Sequence, residues 1–163
     1  MAGAMDETNV SGALVQAMRA GAVVRGTTSP NPPVGAVILS ATGAVVGIGA
    51  TQPVGGAHAE VMALRAAGEK ARGGTAVVTL EPCAHTGRTG PCATALIDAG
   101  IARVYYLHAD PTPQAGGGAQ ALAAAGVEGG QLTAPDGVED AVLAWLRAVK
   151  LQRPHVTLSL IHI

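Results

Sequence analysis

Residues 75–107 read TAVVTLEPCAHTGRTGPCATALIDAGIARVYYL and contain the clearest structural pattern in the chain. The first six residues form a short, mostly apolar run typical of a buried strand, and residues 103–107 form a second one. A polar loop over residues 81–91 separates the first strand from a helix predicted over residues 93–99, which Gly100 ends. Strands separated by a helix are usually parallel neighbours, so this stretch predicts an α/β fold.

The rest of the chain continues this alternation of helices and strands. The pattern predicts a helix over 6–21, hairpin strands over 34–39 and 44–49, a helix from 57 that Gly68 ends, a helix over 117–125, a weak strand over 127–132 and a last helix from 136. Gly47 and Gly49 indicate a bulge in the second hairpin strand. Asp136-Gly137-Val138-Glu139 has the spacing of a capping box. The order predicts a three-layer α/β/α sandwich with a central mixed sheet of about five strands.

Composition and charge narrow the classes of function. The chain has 163 residues, enough for one domain, and its formal net charge is −1, without the basic stripe that nucleic-acid binding needs. No apolar run approaches the roughly 20 residues of a membrane span. Residues 1–9 lack the basic start and apolar stretch of a signal peptide. We therefore expect a cytoplasmic enzyme with no nucleic-acid partner and no membrane partner.

The two cysteines of the chain, Cys83 and Cys92, point to metal chemistry. In a secreted protein such a pair would suggest a disulfide, but closely spaced cytosolic cysteines more often bind metal or act in catalysis. Together with His58, they form a ligand set that suits zinc and leaves the fourth tetrahedral position open for water. There is no third cysteine, and the histidines further along the chain lie at no recognisable ligand spacing. The pattern therefore indicates a catalytic zinc rather than a structural one.

Glu60 stands two residues after His58, where it can act without ligating the metal. Zinc lowers the pKa of bound water to about 7, and deamination then needs one group to carry a proton to the ring nitrogen and the departing amine. The sequence H-x-E followed by P-C-x-x-C is typical of zinc deaminases of nucleobases. Here eight residues, instead of two, separate the cysteines. A lone His-x-Glu or a lone buried cysteine would mean little, but together they predict a zinc site with Glu60 as its acid and base.

Three segments carry a family resemblance: TSPNPPVG at 28–35, GAHAEV at 56–61 and TLEPCAHTGRTGPC at 79–92. With these segments the chain resembles the deaminase half of the bifunctional riboflavin-biosynthesis deaminase/reductase, from about residue 13 to about residue 157. The resemblance implies a cytidine-deaminase-like fold. It implies zinc on His58, Cys83 and Cys92, and Glu60 as proton shuttle. The implied reaction converts the phosphorylated pyrimidine 2,5-diamino-6-ribosylamino-4(3H)-pyrimidinone 5′-phosphate to 5-amino-6-ribosylaminouracil 5′-phosphate and ammonia.

The resemblance also implies four substrate-binding residues. Asn31 matches a position that hydrogen-bonds the substrate near its reacting end, and two flanking prolines would hold it rigidly. His85 and Arg88 match positions that contact the ribose-phosphate end, where a cation and an imidazole suit a phosphate. Asp110 matches the start of an Asp-Pro-Asn segment. The plain alternatives are an ordinary turn residue for Asn31 and a solvent-exposed loop charge for Arg88.

The resemblance divides the chain into three parts. Residues 1–150 form the predicted deaminase domain. Residues 151–157 resemble the start of the family's nicotinamide-dependent reductase domain, the rest of which we expect to be missing from this chain. Residues 158–163, LSLIHI, match the translation of a widely used transposase sequencing adapter, and we predict that they are not native. The chain departs from the family at Thr112, where Asn is common, and at Gly90, where Pro is usual.

Other interpretations stay open beside the riboflavin-pathway deaminase. A deaminase of another small base or nucleoside would share the chemistry, although the long cysteine spacing and Arg88 argue against it. A non-catalytic zinc-binding module would need a fourth protein ligand and would not need Glu60. A fragment unable to fold without its reductase half would conflict with the complete set of strands and helices. The sequence leaves open whether the chain forms a homo-oligomer and whether a separate reductase partner exists.

Overall fold

A computed structural model of the protein describes residues 7–85, 90–113 and 115–156. Its elements are α1 (Glu7–Val23), β1 (Gly35–Leu39), β2 (Val45–Ala50), α2 (Ala59–Ala67), a 3₁₀ turn (Gly68–Ala71), β3 (Thr75–Leu80), α3 (Cys92–Asp98), β4 (Arg103–His108), α4 (Gly118–Ala124), β5 (Glu128–Gln131) and α5 (Val142–Leu151). The predicted alternation is confirmed. Arg88 and residues 158–163 lie outside the described residues. None of the helices described is long and apolar enough to cross a lipid bilayer.

The five strands form one mixed sheet in the order β2-β1-β3-β4-β5. Strand β1 pairs antiparallel with both β2 and β3, whereas β3, β4 and β5 are parallel. Leu80 at the end of β3 pairs with His108 at the end of β4. Because parallel strands end at the same edge, the loops that follow β3 and β4 leave the sheet side by side. That edge holds most of the residues predicted to carry the chemistry.

Helices cover the two faces of the sheet, which confirms the predicted three layers. Side chains of α1 pack on one face against alternate residues of the strands, in a cluster of Val10, Ala13, Leu14, Ala17, Met18, Val37, Leu39, Val77 and Leu107. The opposite face packs on α2, α3 and α4, in a cluster that includes Ile38, Ala59, Ala63, Ala76, Val78, Leu96, Val104 and Leu122. Neighbouring residues of β3 thus point to different faces, as a pleated strand requires.

The glycines of β2 allow α2 to approach the sheet closely. A Cβ on Gly47 would lie 2.2 Å from the carbonyl oxygen of Ala63, and one on Gly49 would lie 2.4 Å from that of Ala59. The bulge predicted in β2 is present and lies beside Gly47, at Val46, where the pairing with β1 slips by one residue. The close approach places the first turn of α2, and the site residues on it, directly beside the sheet.

The last helix begins later than the sequence predicts. The proposed capping box at residue 136 is wrong, because α5 starts at Val142. Asp140 contacts the start of the helix instead: its Oδ1 accepts the backbone N–H of Val142 at 3.2 Å, and its Oδ2 lies 2.6 Å from Nε2 of His108. The carboxylate therefore ties the start of α5 to the end of β4.

Candidate active site

The residues of the H-x-E pair lie at the start of α2. His58 directly precedes the helix in an extended conformation, with φ −71° and ψ 163°. Glu60 lies in the first turn, and its side chain is buried, with 4% of the residue exposed. The close packing of α2 on β2 keeps this turn beside the sheet, so Glu60 is surrounded by protein rather than by solvent.

The two cysteines meet although nine positions separate them. Cys83 follows β3, and Cys92 is the first residue of α3. The backbone N–H of Cys92 donates a hydrogen bond to Sγ of Cys83 at 3.3 Å, and the N–H of Ala93 donates to the carbonyl oxygen of Cys83 at 3.1 Å. Both cysteines are buried. The start of α3 thus holds the first thiol directly beside the second, which is how the long spacing still forms one site.

His58, Cys83 and Cys92 fit a zinc ion. Nδ1 of His58 lies 3.2 Å from Sγ of Cys92 and 3.7 Å from Sγ of Cys83. The nitrogen and sulfur ligands of a tetrahedral zinc would lie about 3.6 Å apart, given bonds of about 2.1 and 2.3 Å. Within the described ranges, this is the one group of three His, Cys, Asp or Glu residues whose ligand atoms approach closely enough to hold a metal.

Hydrogen bonds favour the thiolate form of Cys83. The thiol of Cys92 donates to Cys83 and, with His58 and the backbone N–H of Cys92, lowers the pKa of Cys83 to about 4. The pKa of Cys92 is raised, first because its thiol keeps the proton shared with Cys83 and then because it is buried. The hydrogen bond to Cys83 also raises the pKa of His58. A thiolate is the form that binds metal, so the site favours a soft cation.

Burial sets the protonation of Glu60. Desolvation of its carboxylate raises the pKa of this group to about 7. A carboxyl group with a pKa near the working pH can take up and release a proton with little loss of driving force. Glu60 therefore has the property that a proton shuttle requires, whereas an exposed glutamate would be almost fully ionised near neutral pH.

A cavity of about 590 Å³ joins these residues to the predicted substrate contacts. His58, Glu60 and Cys83 line it together with Asn31, His85 and Asp110. Its size suits a small organic ligand. Arg88 falls in the segment 86–89 that the structure does not describe. The structure thus brings three of the four predicted substrate residues to the candidate zinc site, while their individual roles stay predictions.

Comparisons with known proteins place the chain in a family of zinc-binding deaminases. Residues 8–108 match the family model of the cytidine and deoxycytidylate deaminase zinc-binding region. The chain belongs to this deaminase family. Riboflavin biosynthesis protein RibD of Corynebacterium ammoniagenes is 65% identical over 150 residues, which are 92% of this chain and 44% of that protein. The diaminohydroxyphosphoribosylamino-pyrimidine deaminase of Buchnera aphidicola is 54% identical over 91 residues, 56% of this chain and 61% of that protein.

A solved structure gives the same result for the fold. The diaminohydroxyphosphoribosylaminopyrimidine deaminase/5-amino-6-(5-phosphoribosylamino)uracil reductase of Thermotoga maritima matches with a TM-score of 0.83 and 34% identity. The match covers 90% of this chain and 43% of that one. The predicted resemblance and the cytidine-deaminase-like fold are confirmed. The chain spans about two fifths of the length of the RibD relatives it matches.

Glu81 is a site residue that the sequence did not single out. It is buried between β3 and Cys83, and it lines the cavity. Its Oε2 accepts the backbone N–H of Asp110 at 3.1 Å, and its Oε1 accepts that of Ala119 in α4 at 3.0 Å. One carboxylate therefore fixes both the loop of Asp110 and the start of α4. Its place directly before Pro82-Cys83 was the one available signal.

The side chain of Asp110 is held by its own loop. Its Oδ1 accepts two hydrogen bonds from Thr112, one from the backbone N–H at 2.8 Å and one from the hydroxyl at 2.6 Å. Thr112 also lines the cavity. The residue at which the chain departs from the family pattern therefore takes part in orienting Asp110.

Proposed function

We propose that the chain catalyses the hydrolytic deamination of 2,5-diamino-6-ribosylamino-4(3H)-pyrimidinone 5′-phosphate to 5-amino-6-ribosylaminouracil 5′-phosphate and ammonia in riboflavin biosynthesis. The observation that carries this proposal is the buried Glu60 beside the His58, Cys83 and Cys92 group on one cavity. The choice of substrate is supported by the similar proteins of Buchnera and Thermotoga, whose names include this deaminase activity.

The metal in this proposal is zinc, held by Nδ1 of His58 and by Sγ of Cys83 and Cys92. When bound, zinc would act as a Lewis acid that activates the attacking water. The carboxyl of Glu60 does not ligate the metal. It takes one proton from the attacking water and delivers it to the ring nitrogen. As the bond from the ring carbon to the amine breaks, it takes the second proton from the hydroxyl that has added to this carbon and delivers it to the departing amine, which leaves as ammonia. Its pKa of about 7, raised by burial, allows both steps near neutral pH.

The burial of the lining residues supports one orientation of the substrate. Glu60 and Cys83 are buried, Asn31 is partly buried and His85 is exposed. The neutral pyrimidine would therefore lie at the inner end, with Asn31 near the reacting amine. The charged phosphate would lie at the outer end, beside His85 and, as the family pattern implies, Arg88. This order keeps the phosphate hydrated and the reacting carbon away from bulk water.

Other elements of the proposal rest on the sequence and on family membership. The cytoplasmic location, the boundary near residue 150, the reductase-like segment over 151–157 and a homo-oligomer stay predictions. Residues 152–156 are an exposed irregular segment after α5. A phosphorylated pyrimidine is the one small-molecule partner proposed for the cavity.

The substrate proposal is tested by ammonia release from the zinc-loaded protein. The diaminopyrimidine ribose 5′-phosphate should be deaminated, its dephosphorylated form should be a much poorer substrate, and cytidine and deoxycytidine 5′-phosphate should be inert. Arg88→Ala should raise KM for the phosphorylated substrate. Equal rates with and without the phosphate would contradict the proposed phosphate end. Release from cytidine alone would replace the substrate with that of another deaminase in the same family.

A further inference from the structure

The single tryptophan of the chain lies on the wall of the active-site cavity. Trp145 belongs to α5, and its indole N–H donates a hydrogen bond to the carbonyl oxygen of Pro30 at 3.1 Å. Pro30, Asn31 and Pro32 line the same cavity. Trp145 therefore contacts the turn that carries the predicted substrate residue Asn31, 115 positions away in the sequence.

Trp145 is itself held in place from the other side. Its ring is partly buried against the hydrophobic cluster under α2, α3 and α4, to which Val142 of the same helix belongs with 1% of its surface exposed. Asp140 ties the beginning of α5 to His108 of β4. The indole is thus packed partly against the core while its N–H contacts the turn.

The turn around Asn31 has its own hydrogen bonds, and Trp145 adds one from outside. The N–H of Asn31 donates to the carbonyl oxygen of Thr28 at 2.9 Å, and the hydroxyl of Thr28 donates to the carbonyl oxygen of Asn31 at 2.8 Å. These bonds fix the shape of the turn, whereas the bond from Trp145 to Pro30 fixes its position relative to α5 and the cavity. A hydrogen bond weakens steeply when its donor or acceptor moves out of line, so a shift of the Asn31 amide would weaken its contact with the bound substrate.

We propose that Trp145 is a positioning residue for the deaminase substrate. Its indole N–H holds the Pro30 carbonyl so that the amide of Asn31 faces the ring of the bound substrate, and its aromatic face closes one side of the cavity. This inference rests on the proposed function, because it assigns to Asn31 the same substrate contact. It adds a residue from the last helix to a site otherwise built at the edge of the sheet.

The kinetic test compares Trp145→Phe with the wild type. Phenylalanine keeps an aromatic wall but cannot donate to Pro30, so KM should rise about fivefold, as expected for one lost hydrogen bond, while kcat changes less than twofold. Leu151→Ala is the matched control, because Leu151 is on the same helix and is 64% exposed. It should leave KM and kcat unchanged. A Trp145→Phe protein with wild-type KM, or one that loses kcat alone, would overturn the proposal.

A binding test does not depend on the folding of a Trp145 variant. Zinc-loaded Glu60→Gln protein retains Trp145 as its one tryptophan, so its fluorescence should change when the diaminopyrimidine ribose 5′-phosphate fills the cavity. Calorimetry on the same samples measures binding independently. Binding by calorimetry with unchanged tryptophan emission would overturn the role of Trp145 and leave the proposed function standing. No binding by calorimetry, with no ammonia release by the wild type, would overturn the proposed function and this inference with it.

Discussion

Replacing Gly118 with alanine should damage the candidate zinc site from outside it. Gly118 begins α4 and lies against the backbone of Pro82, the residue before Cys83. A Cβ at position 118 would lie 1.7 Å from the carbonyl oxygen of Pro82 and 2.8 Å from its carbonyl carbon. Real Cβ atoms essentially never approach another atom within 3.0 Å, so the two backbones must separate by about 1.3 Å.

Both α4 and the backbone at Pro82 are held by contacts that a shift would disturb. The loss of these contacts determines the expected size of the destabilisation by Gly118→Ala. Moving α4 away breaks the hydrogen bond from the N–H of Ala119 to the carboxylate of Glu81, worth about 1.5–3 kcal/mol for a charged acceptor. Moving Pro82 displaces Cys83 from His58 and Cys92. Overpacking adds about 1–3 kcal/mol. We expect the free energy of unfolding to fall by about 3 kcal/mol and zinc affinity to fall at least tenfold, as when a group that supports a ligand is disturbed.

Urea unfolding in EDTA and competition for zinc with a chelator measure the two effects separately. Gly12→Ala is the control, because it makes the same chemical change within α1 where a Cβ would meet nothing within 4 Å. This control should stabilise the protein by up to about 1 kcal/mol, through the higher helix propensity of alanine, and leave zinc affinity unchanged. A Gly118→Ala protein with wild-type stability and zinc affinity would refute the reasoning.

Three further predictions concern the site. Glu81→Gln leaves only one acceptor oxygen for the N–H groups of Asp110 and Ala119, so the free energy of unfolding measured in urea should fall by about 2 kcal/mol. The pKa of Glu60, raised by burial from 4.5 to about 7, means that the folded metal-free protein holds this proton more tightly than the unfolded chain. Its stability in EDTA should therefore fall by about 3 kcal/mol as the pH rises through that interval, and Glu60→Gln should lack this loss. Removal of zinc should lower the thermal unfolding midpoint by several degrees, and its return should restore the midpoint.

Each of these outcomes can be contradicted. Unchanged stability of Glu81→Gln would mean that water replaces the lost acceptor. Parallel pH profiles for the wild type and Glu60→Gln in EDTA would mean that Glu60 does not titrate in this interval. A thermal unfolding midpoint that changes neither with EDTA nor with added zinc would mean that His58, Cys83 and Cys92 hold no metal.

The sheet and the grouping of His58, Cys83 and Cys92 followed from the sequence because their signals are local. Apolar runs gave the strands, and the edge at which parallel strands end placed Cys83 near His58. The capping prediction failed at Asp136, six positions before α5 begins, because several acidic residues precede this helix and their partners are not visible in the sequence. In the structure Asp140 contacts His108, 32 positions away, and accepts the backbone N–H of Val142, the first residue of the helix.

Long-range packing explains what the sequence could not provide. Helical periodicity placed Trp145 on the core face of the last helix, and the ring does pack partly against the core. Its contact with Pro30 depends on how α5 lies across the end of the sheet, which no local pattern encodes. In the same way, Gly47 and Gly49 indicated the bulge in β2 but not the close approach of α2 that they also allow. A glycine in a strand can indicate that another backbone approaches closely, but it does not indicate which element approaches.

The decisive measurement is ammonia release from the diaminopyrimidine ribose 5′-phosphate by the wild type and by Glu60→Gln, at equal zinc content determined by metal analysis. The proposed function predicts one zinc per chain in both proteins, turnover by the wild type and none by the variant, because the proposed ligands are intact and only the proposed proton shuttle is lost. Appreciable turnover by Glu60→Gln, or zinc-bound wild type that releases no ammonia, would contradict the proposed chemistry.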